Sequence, residues 1–261
     1  MIFLKLGGSL ITHKDRPETA RLEALARLAG EIAAARAADP GLRLLLGHGS
    51  GSFGHSAAAR FGTHRGARSA EDWQGFAEVW AVAGRLSRLV VDALRAAGLP
   101  AIAYPPSASA VCQDGELVEL AIEPLRGALE HGLIAVVAGD VALDRVRGST
   151  IISTERVFAF LAPHLRPRRM LLAGLDPGVY ARFPEDRTVL STLCEADLER
   201  IQLAGAEATD VTGGMADKVR HALRMARLVP GLEVRIFSGE QPGAVTEALQ
   251  GGAPGTLIRP D

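Results

Sequence analysis

Short apolar runs alternate along this chain with longer amphipathic stretches, and that alternation predicts the elements in order. Ile2–Leu6 is apolar and stops at Gly7-Gly8, a buried strand meeting a loop. From about Thr19 to Ala38, apolar residues recur at helical spacing in an alanine-rich background, which predicts a helix. Leu42–Leu46 is a second strand, ended by Gly47. Glu71 to Ala97 reads as a long helix with Trp73, Phe76, Trp80 and Ala83 on one stripe. Ala101–Tyr104 is a third strand, closed by Pro105-Pro106. Ala108–Cys112 and Leu117–Leu120 flank Gln113-Asp114-Gly115-Glu116 as a hairpin. A helix from about Glu123 to His131 leads into the strand Leu133–Ala138. Val141–Leu143 and Thr150–Ile152 form another hairpin around Arg145–Gly148. Beyond these come a helix at Val157–Ala162, a strand at Arg169–Ala173, and helices at Ala196–Ala204 and Met215–Leu228. A strand at Glu233–Phe237, a helix at Gly243–Gln250 and a strand at Thr256–Ile258 complete the chain.

Strands that alternate with helices predict an α/β fold, a mainly parallel central sheet with helices on both faces, hence a three-layer αβα sandwich. Ligands of such sheets collect in the loops beyond the strand C-termini. The glycine-rich segments sit at such strand ends. A single domain over 1–261 is expected, with its best lobe boundary at His164–Arg169, beside Pro163 and Pro167. An N-terminal lobe would then run to about residue 165 and a C-terminal lobe from about 166.

Composition narrows the function classes. The chain has 261 residues, 48% hydrophobic and 23% charged, ordinary for a globular protein and unlike a disordered or fibrous one. Lys+Arg 29 against Asp+Glu 30 leaves a net charge of -1, with no global basic excess to attract nucleic acid. Cys112 and Cys194 are too few for a disulfide framework or a cysteine zinc site. The start MIFLKLGGSL is too short and too glycine-rich for a signal peptide, and runs such as Leu133–Ala138 are far below a membrane span. A soluble cytoplasmic protein without a membrane partner is expected.

One count redirects attention. Of the 29 basic residues only Lys5, Lys14 and Lys218 are lysine. Lysine is a compact charge on a flexible stem and arginine a broad planar fork, so a tight anion site accepts the first and excludes the second. All three lysines lie in or beside glycine-rich or polar loops. In Lys5-Leu6-Gly7-Gly8-Ser9, the glycines let backbone N–H groups approach an anion, with Lys5 and Ser9 adding a charge and a hydroxyl. Lys14 lies in the polar stretch Thr12–Arg16. Gly49-x-Gly51-x-x-Gly54 follows a strand and formally matches a dinucleotide fingerprint. The acids at the required distance, Glu71 and Asp72, have no apolar strand to carry them, so the loop reads instead as another kind of anion cradle. His55 would lie at or near the following helix N-terminus and donate to a phosphate, while His48 packs or caps locally. Gly139-Asp140 ends a strand, and either contacts substrate or forms a plain turn. Asp176-Pro177-Gly178-Val179-Tyr180 follows another strand. Thr212-Gly213-Gly214 opens a helix that carries Lys218 one turn in. No G-x-x-x-x-G-K-[ST] loop occurs.

Together these segments resemble the amino acid kinase superfamily and, within it, the isopentenyl phosphate kinases, over nearly the whole chain from Lys5 to about Ile258. The most specific element is Gly51-Ser52-Phe53-Gly54-His55. Its histidine holds an acceptor phosphate or phosphonate in those enzymes and in the related fosfomycin kinases. The resemblance implies that ATP is held by Lys5, Gly7, Gly8, Ser9, Gly51, Asp176, Gly178, Tyr180, Gly213 and Lys218. It implies an acceptor site of Gly8, Ser50, Gly54, His55, Gly139 and Asp140. Lys5, Lys14, His55 and Lys218 form the catalytic set, with Mg²⁺ on the nucleotide phosphates, no metal held by the protein, and a homodimer. The implied reaction moves the ATP γ-phosphoryl group to isopentenyl phosphate. Phe76 and Trp80 are candidate walls of an apolar tail pocket, whereas Trp73 is expected in the core. The alternatives are a fosfomycin-type or amino-acid acceptor, or a nucleotide-binding sensor without turnover. Ser50, Ser153-Thr154-Glu155 and Pro177 depart from the family pattern, and Glu155 receives no catalytic role.

Overall fold

The computed structural model describes residues 1–198 and 214–260, and for residues 55–59 and 64 the backbone only. Fourteen strands and eight helices follow in chain order among the described residues. They are β1 (Ile2–Leu6), α1 (Gly8–Ile11), α2 (Leu22–Ala38), β2 (Leu44–His48), α3 (Gly51–Phe61), α4 (Ala70–Ala96) and β3 (Ala101–Ala103). Then come β4 (Val111–Gln113), β5 (Glu116–Glu119), α5 (Glu123–Glu130), β6 (Ile134–Ala138), β7 (Asp140–Asp144), β8 (Gly148–Ile152) and α6 (Thr154–Leu165). The remainder are β9 (Arg169–Gly174), β10 (Tyr180–Arg182), β11 (Asp186–Val189), β12 (Thr192–Leu193), α7 (Gly214–Leu228), β13 (Glu233–Ser238), α8 (Ala244–Leu249) and β14 (Thr256–Ile258).

Eight strands form the central sheet in the order β12-β14-β13-β9-β1-β2-β6-β3. From β13 to β3 every pairing is parallel, and β14 runs antiparallel to β13. Alternation along β1 divides the core. Ile2, Leu4 and Leu6 pack with residues of α1, α2, α4 and α8. Phe3 faces the other way, with residues of α5, α6 and α7, and its ring lies 5.0 Å from that of Phe158. The sheet is therefore buried on both faces, the expected αβα sandwich. A second, four-stranded sheet, β5-β4-β7-β8, joins the two anticipated hairpins through a parallel β4–β7 pairing. Asp144 fastens them. Its carboxylate accepts from the backbone N–H groups of Asp114 (3.2 Å), Gly115 (2.7 Å), Val146 (2.8 Å) and Arg147 (2.9 Å).

Several local expectations are corrected. The first long helix starts at Leu22, because Thr12–Ala20 closes a loop through an isolated antiparallel bridge. The second strand runs two residues further, to His48, since Gly47 is a strand residue. A Cβ there would meet Phe158 and Thr154 at 2.6 Å, so this glycine marks close packing, not a stop. Of the expected Ala196–Ala204 helix, the described part is a short 3-10 turn at Glu195–Asp197, and residues 199–204 lie outside the described residues. Pro163 sits inside α6, which continues to Leu165. Trp73 is not core: it is exposed, edge-on to Phe76 at 5.5 Å.

Candidate active site

The register of the sheet builds the site. Lys5 pairs with Gly47 and Leu172, and Leu6 with His48 and Ala173, so the C-terminal ends of β1, β2 and β9 stand in one row. Ala138 pairs with His48 and brings the end of β6 into that row. Four loops therefore leave the sheet on the same edge, where open α/β sheets bind ligands.

Two of these loops touch backbone to backbone. A Cβ on Gly8 would stand 2.4 Å from the N of Gly51, and one on Gly49 would stand 2.6 Å from the N of Gly8. Gly51 has φ +50, and a Cβ there would fall 2.1 Å from Thr12 Oγ1. That hydroxyl donates to Gly8 O (2.8 Å) and accepts from Ser52 N (3.0 Å), tying α1 to the start of α3. Gly7 donates to Ala173 O at 2.8 Å, which fastens the first loop to β9. The glycines are thus required by close approach of two chain segments, and the N–H groups of Gly7 and Gly49 fasten that approach by donating to Ala173 O and Leu6 O.

Lys5 points to the α6 face, because it follows Phe3 in the strand alternation. There its Nζ pairs with Oε1 of Glu155, with both side chains close to 90% buried (relative exposures of 12% and 13%). Glu155 lies in the first turn of α6, whose Ser153 cap accepts from Arg156 N at 3.3 Å. Burial pushes the Glu155 carboxyl up, but Lys5 outweighs it and holds the group at about 2. The carboxylate therefore stays charged. Lys218, on α7, is pulled below the usual lysine range by burial and by the field of Lys5, with Lys14 adding to it and Asp176 and Glu155 opposing. Three lysines and two carboxylates thus share one electrostatic neighbourhood, although they come from β1, the 12–20 loop, α6, the loop after β9 and α7. Lys14 is exposed on its loop.

His48 closes the floor. It is buried, and burial holds its imidazole at about 4, so it is neutral. A carbonyl only accepts, so Nδ1–H donates to Gly49 O (3.2 Å) and Nε2 accepts from the Ser87 hydroxyl (2.9 Å). Thr154 Oγ1 donates to His48 O at 2.6 Å and seals the joint between β2 and α6. The local packing role expected for His48 is the one it has.

Asp140 opens β7 and is buried. Its carboxylate accepts from Ser107 N (3.1 Å) and from its own neighbour Val141 N (2.8 Å). Burial pushes its pKa up, with those hydrogen bonds opposing. Beside it opens an apolar cavity of about 530 Å³ between α4 and β3. Gly139, Asp140, Ser87, Gly84, Ala83 and Trp80 are among its walls, and Trp80 is 51% exposed. Phe76 is not a wall; it packs on the core beneath α4.

The other expected residues divide plainly. Ser9 lies in α1, and Ser50 and Gly54 lie together at the start of α3, where a Cβ on Gly54 would meet Ser50 Oγ at 2.3 Å. His55 is the fifth residue of α3, one turn in from its N-terminus; its side chain lies outside the described residues. Gly213 also lies outside them. Asp176 and Tyr180 flank Gly178, whose Cβ would meet Val189 at 2.6 Å and Thr256 Oγ1 at 2.7 Å, so packing alone demands that glycine. Glu155 is the residue sequence reasoning passed over. Its signal was a carboxylate in the capped first turn of α6, just after strand β8. Among the described residues no group of three or more His, Cys, Asp or Glu side chains gathers that could hold a metal ion. Nor is any helix among them long and apolar enough to cross a membrane.

Comparison with known proteins agrees with this geometry. Residues 1–238 match the family model described as the amino acid kinase family. The chain is 36% identical to the isopentenyl phosphate kinase of Methanothermobacter thermautotrophicus, over 96% of each chain. It is 34% identical to that of Haloferax volcanii, over 99% of this chain and 98% of the relative. A solved isopentenyl phosphate kinase structure superposes with a TM-score of 0.84 at 33% identity, covering 99% of both chains. The chain therefore belongs to the amino acid kinase family and, within it, to the isopentenyl phosphate kinases.

Proposed function

We propose that this chain transfers the γ-phosphoryl group of ATP to the phosphate of isopentenyl phosphate, giving isopentenyl diphosphate and ADP. The observation that carries the reading is that the charges of Lys5 and Lys14 reach Lys218, while Gly139 and Asp140, at the end of β6 on the same sheet edge, border an apolar cavity. A phosphate oxygen of the acceptor forms the new bond to phosphorus, and the bond to the β,γ-bridging oxygen breaks. The acceptor is already ionised, so no strong base is needed, and neutral His48 is not called on to take a proton. Rate then comes from alignment and charge neutralisation.

Lys5, fixed by Glu155, and Lys218 neutralise charge on the transferring group, and Lys14 closes over it. A lysine next to other cations and out of water gains most from an arriving triphosphate, which matches the depressed Lys218. Gly8, Ser9 and Gly51 offer N–H groups to the phosphates, Gly7 shapes their loop with its own N–H on Ala173 O, and Asp176, Gly178, Tyr180 and Gly213 hold the nucleotide. His55, with Gly54 and Ser50, binds the acceptor phosphate. Its tail enters the cavity past Gly139 and Asp140 toward Trp80.

Mg²⁺ would arrive on the nucleotide phosphates, not on the lysines, and Asp176, whose charge reaches Lys218, is the carboxylate that would help to hold it. It would add charge neutralisation. The residues to about 165 serve as the acceptor lobe and those from about 166 as the nucleotide lobe. The enzyme works in the cytoplasm as a homodimer. The short edge strand β3, with Ile102 and Trp80 exposed beside it, is the face a second copy would cover. An ADP-release assay with isopentenyl phosphate, dimethylallyl phosphate, fosfomycin and N-acetylglutamate tests the assignment. Turnover is expected with the first two. Turnover only with either of the others would replace it.

A further inference from the structure

The loop that carries Lys14 is held at two places. Its base is closed by the Thr12–Ala20 bridge and by His13 N donating to Thr19 O at 2.9 Å. Beside that base the chain turns at Glu18, which has φ +50, the left-handed region that a glutamate enters only at a cost. The turn is compensated from two directions. Glu18 N and Thr19 N both reach Ser52, at its carbonyl and its hydroxyl (3.4 Å each), on the first turn of α3. The Glu18 carboxylate crosses to α4 and pairs with the Arg85 guanidinium. Arg85 stands next to Gly84, a wall of the apolar cavity.

We infer that the Glu18–Arg85 ion pair is a latch that positions Lys14 for phosphoryl transfer, with Glu18 and Arg85 as positioning residues that touch neither substrate. Lys14 is exposed and lies four residues from Glu18, yet its charge reaches Lys218 on α7. A loop fastened only to itself would leave that lysine free to swing into water. The contacts of Glu18 and Thr19 with Ser52 and of Glu18 with Arg85 tie the loop base to α3 and α4, and so set the direction in which the loop carries Lys14. The pair is itself half exposed, at 55% and 41%, so it acts as a bias and not as a lock. The inference rests on the role given to Lys14 above.

The test is a double-mutant cycle on the full-length enzyme with Mg-ATP and isopentenyl phosphate. Glu18→Asn keeps a residue that tolerates the left-handed turn while removing the charge and the reach to Arg85. Arg85→Met removes the other partner. Each is expected to lower kcat by about two- to fivefold, the range of an exposed ion pair, with both KM values and Tm unchanged. The charge swap Glu18→Arg with Arg85→Glu should recover most of the loss. The ratio of wild-type to Glu18→Asn kcat should fall toward one as salt is raised, because screening weakens an exposed pair. In a Lys14→Ala background, Glu18→Asn should cost nothing further. A Glu18→Asn variant with wild-type kcat, or one with the same loss in the Lys14→Ala background, would overturn the latch. A harmless Lys14→Ala would overturn the role of Lys14 itself, and the latch with it.

Discussion

Glu155 determines where the Lys5 ammonium stands, and its consequences can be separated from those of the lysines. Glu155→Gln leaves a nearly buried ammonium with a neutral partner. Breaking a buried pair from one side costs about 3–5 kcal/mol, so denaturant unfolding without nucleotide should show a loss at or below that range. Turnover should fall about 10- to 100-fold as Lys5 loses its orientation; unchanged kcat would make the pair purely structural. Lys5→Arg and Lys218→Arg keep the charge and lose the fit, and each should cost about 10²–10³ in kcat. The buried His48 gives a pH test. Its folded pKa of about 4 lies below the usual 6.5, so the unfolded chain binds the extra proton first. The contribution is present above pH 6.5 and is lost as pH falls through 4, about 3 kcal/mol in all. Urea unfolding at pH 7 and pH 4 should therefore show a steeper loss in the wild type than in His48→Asn. Equal slopes would mean that His48 already titrates normally in the folded chain.

At the scale of elements, the crevice depends on two loops lying closer than side chains allow. Gly8→Ala places a methyl group 2.4 Å from the N of Gly51, against backbone that cannot swing aside. The variant should fold, since the sheet beneath is untouched, but the β1 and β2 loops must part. Nucleotide affinity by calorimetry should drop at least tenfold, and retained affinity would show that the loops part without disturbing the phosphate site. Much of this layer was legible. Alternation of strands and helices gave the sandwich, and the glycine runs marked the loops at its edge. What the chain did not disclose was the pairing between distant segments. Glu155 receives no role from its motif, which departs from the family pattern, and its pairing is hidden because its partner is 150 residues away and ion pairs leave no periodic signal. Gly47 was read as a stop because a glycine pressed by Phe158 looks the same in sequence as one that ends a strand. Trp73 was placed in the core because an aromatic stripe does not show where the neighbouring element ends.

At the scale of the molecule, the two ends of the chain meet in one sheet, with β9 between β1 and β13, so lysines from opposite ends reach one crevice. The family was legible because its motifs occur in order along nearly the whole chain. The apolar cavity was legible only in part: α4 lines it, but through Trp80 and not Phe76. Trp80→Ala should therefore raise kcat/KM for geranyl phosphate relative to isopentenyl phosphate, while Phe76→Ala should mainly cost stability, about 3 kcal/mol or less at a half-buried site. The reverse pattern would move the pocket wall. The central claim is that the acceptor atom is a phosphate oxygen held beside these lysines. The most direct measurement follows the label from [γ-³²P]ATP after incubation of the purified protein with isopentenyl phosphate. The account predicts label in the terminal phosphate of isopentenyl diphosphate, in step with ADP formed. Label released as inorganic phosphate, with isopentenyl phosphate recovered unchanged, would contradict it.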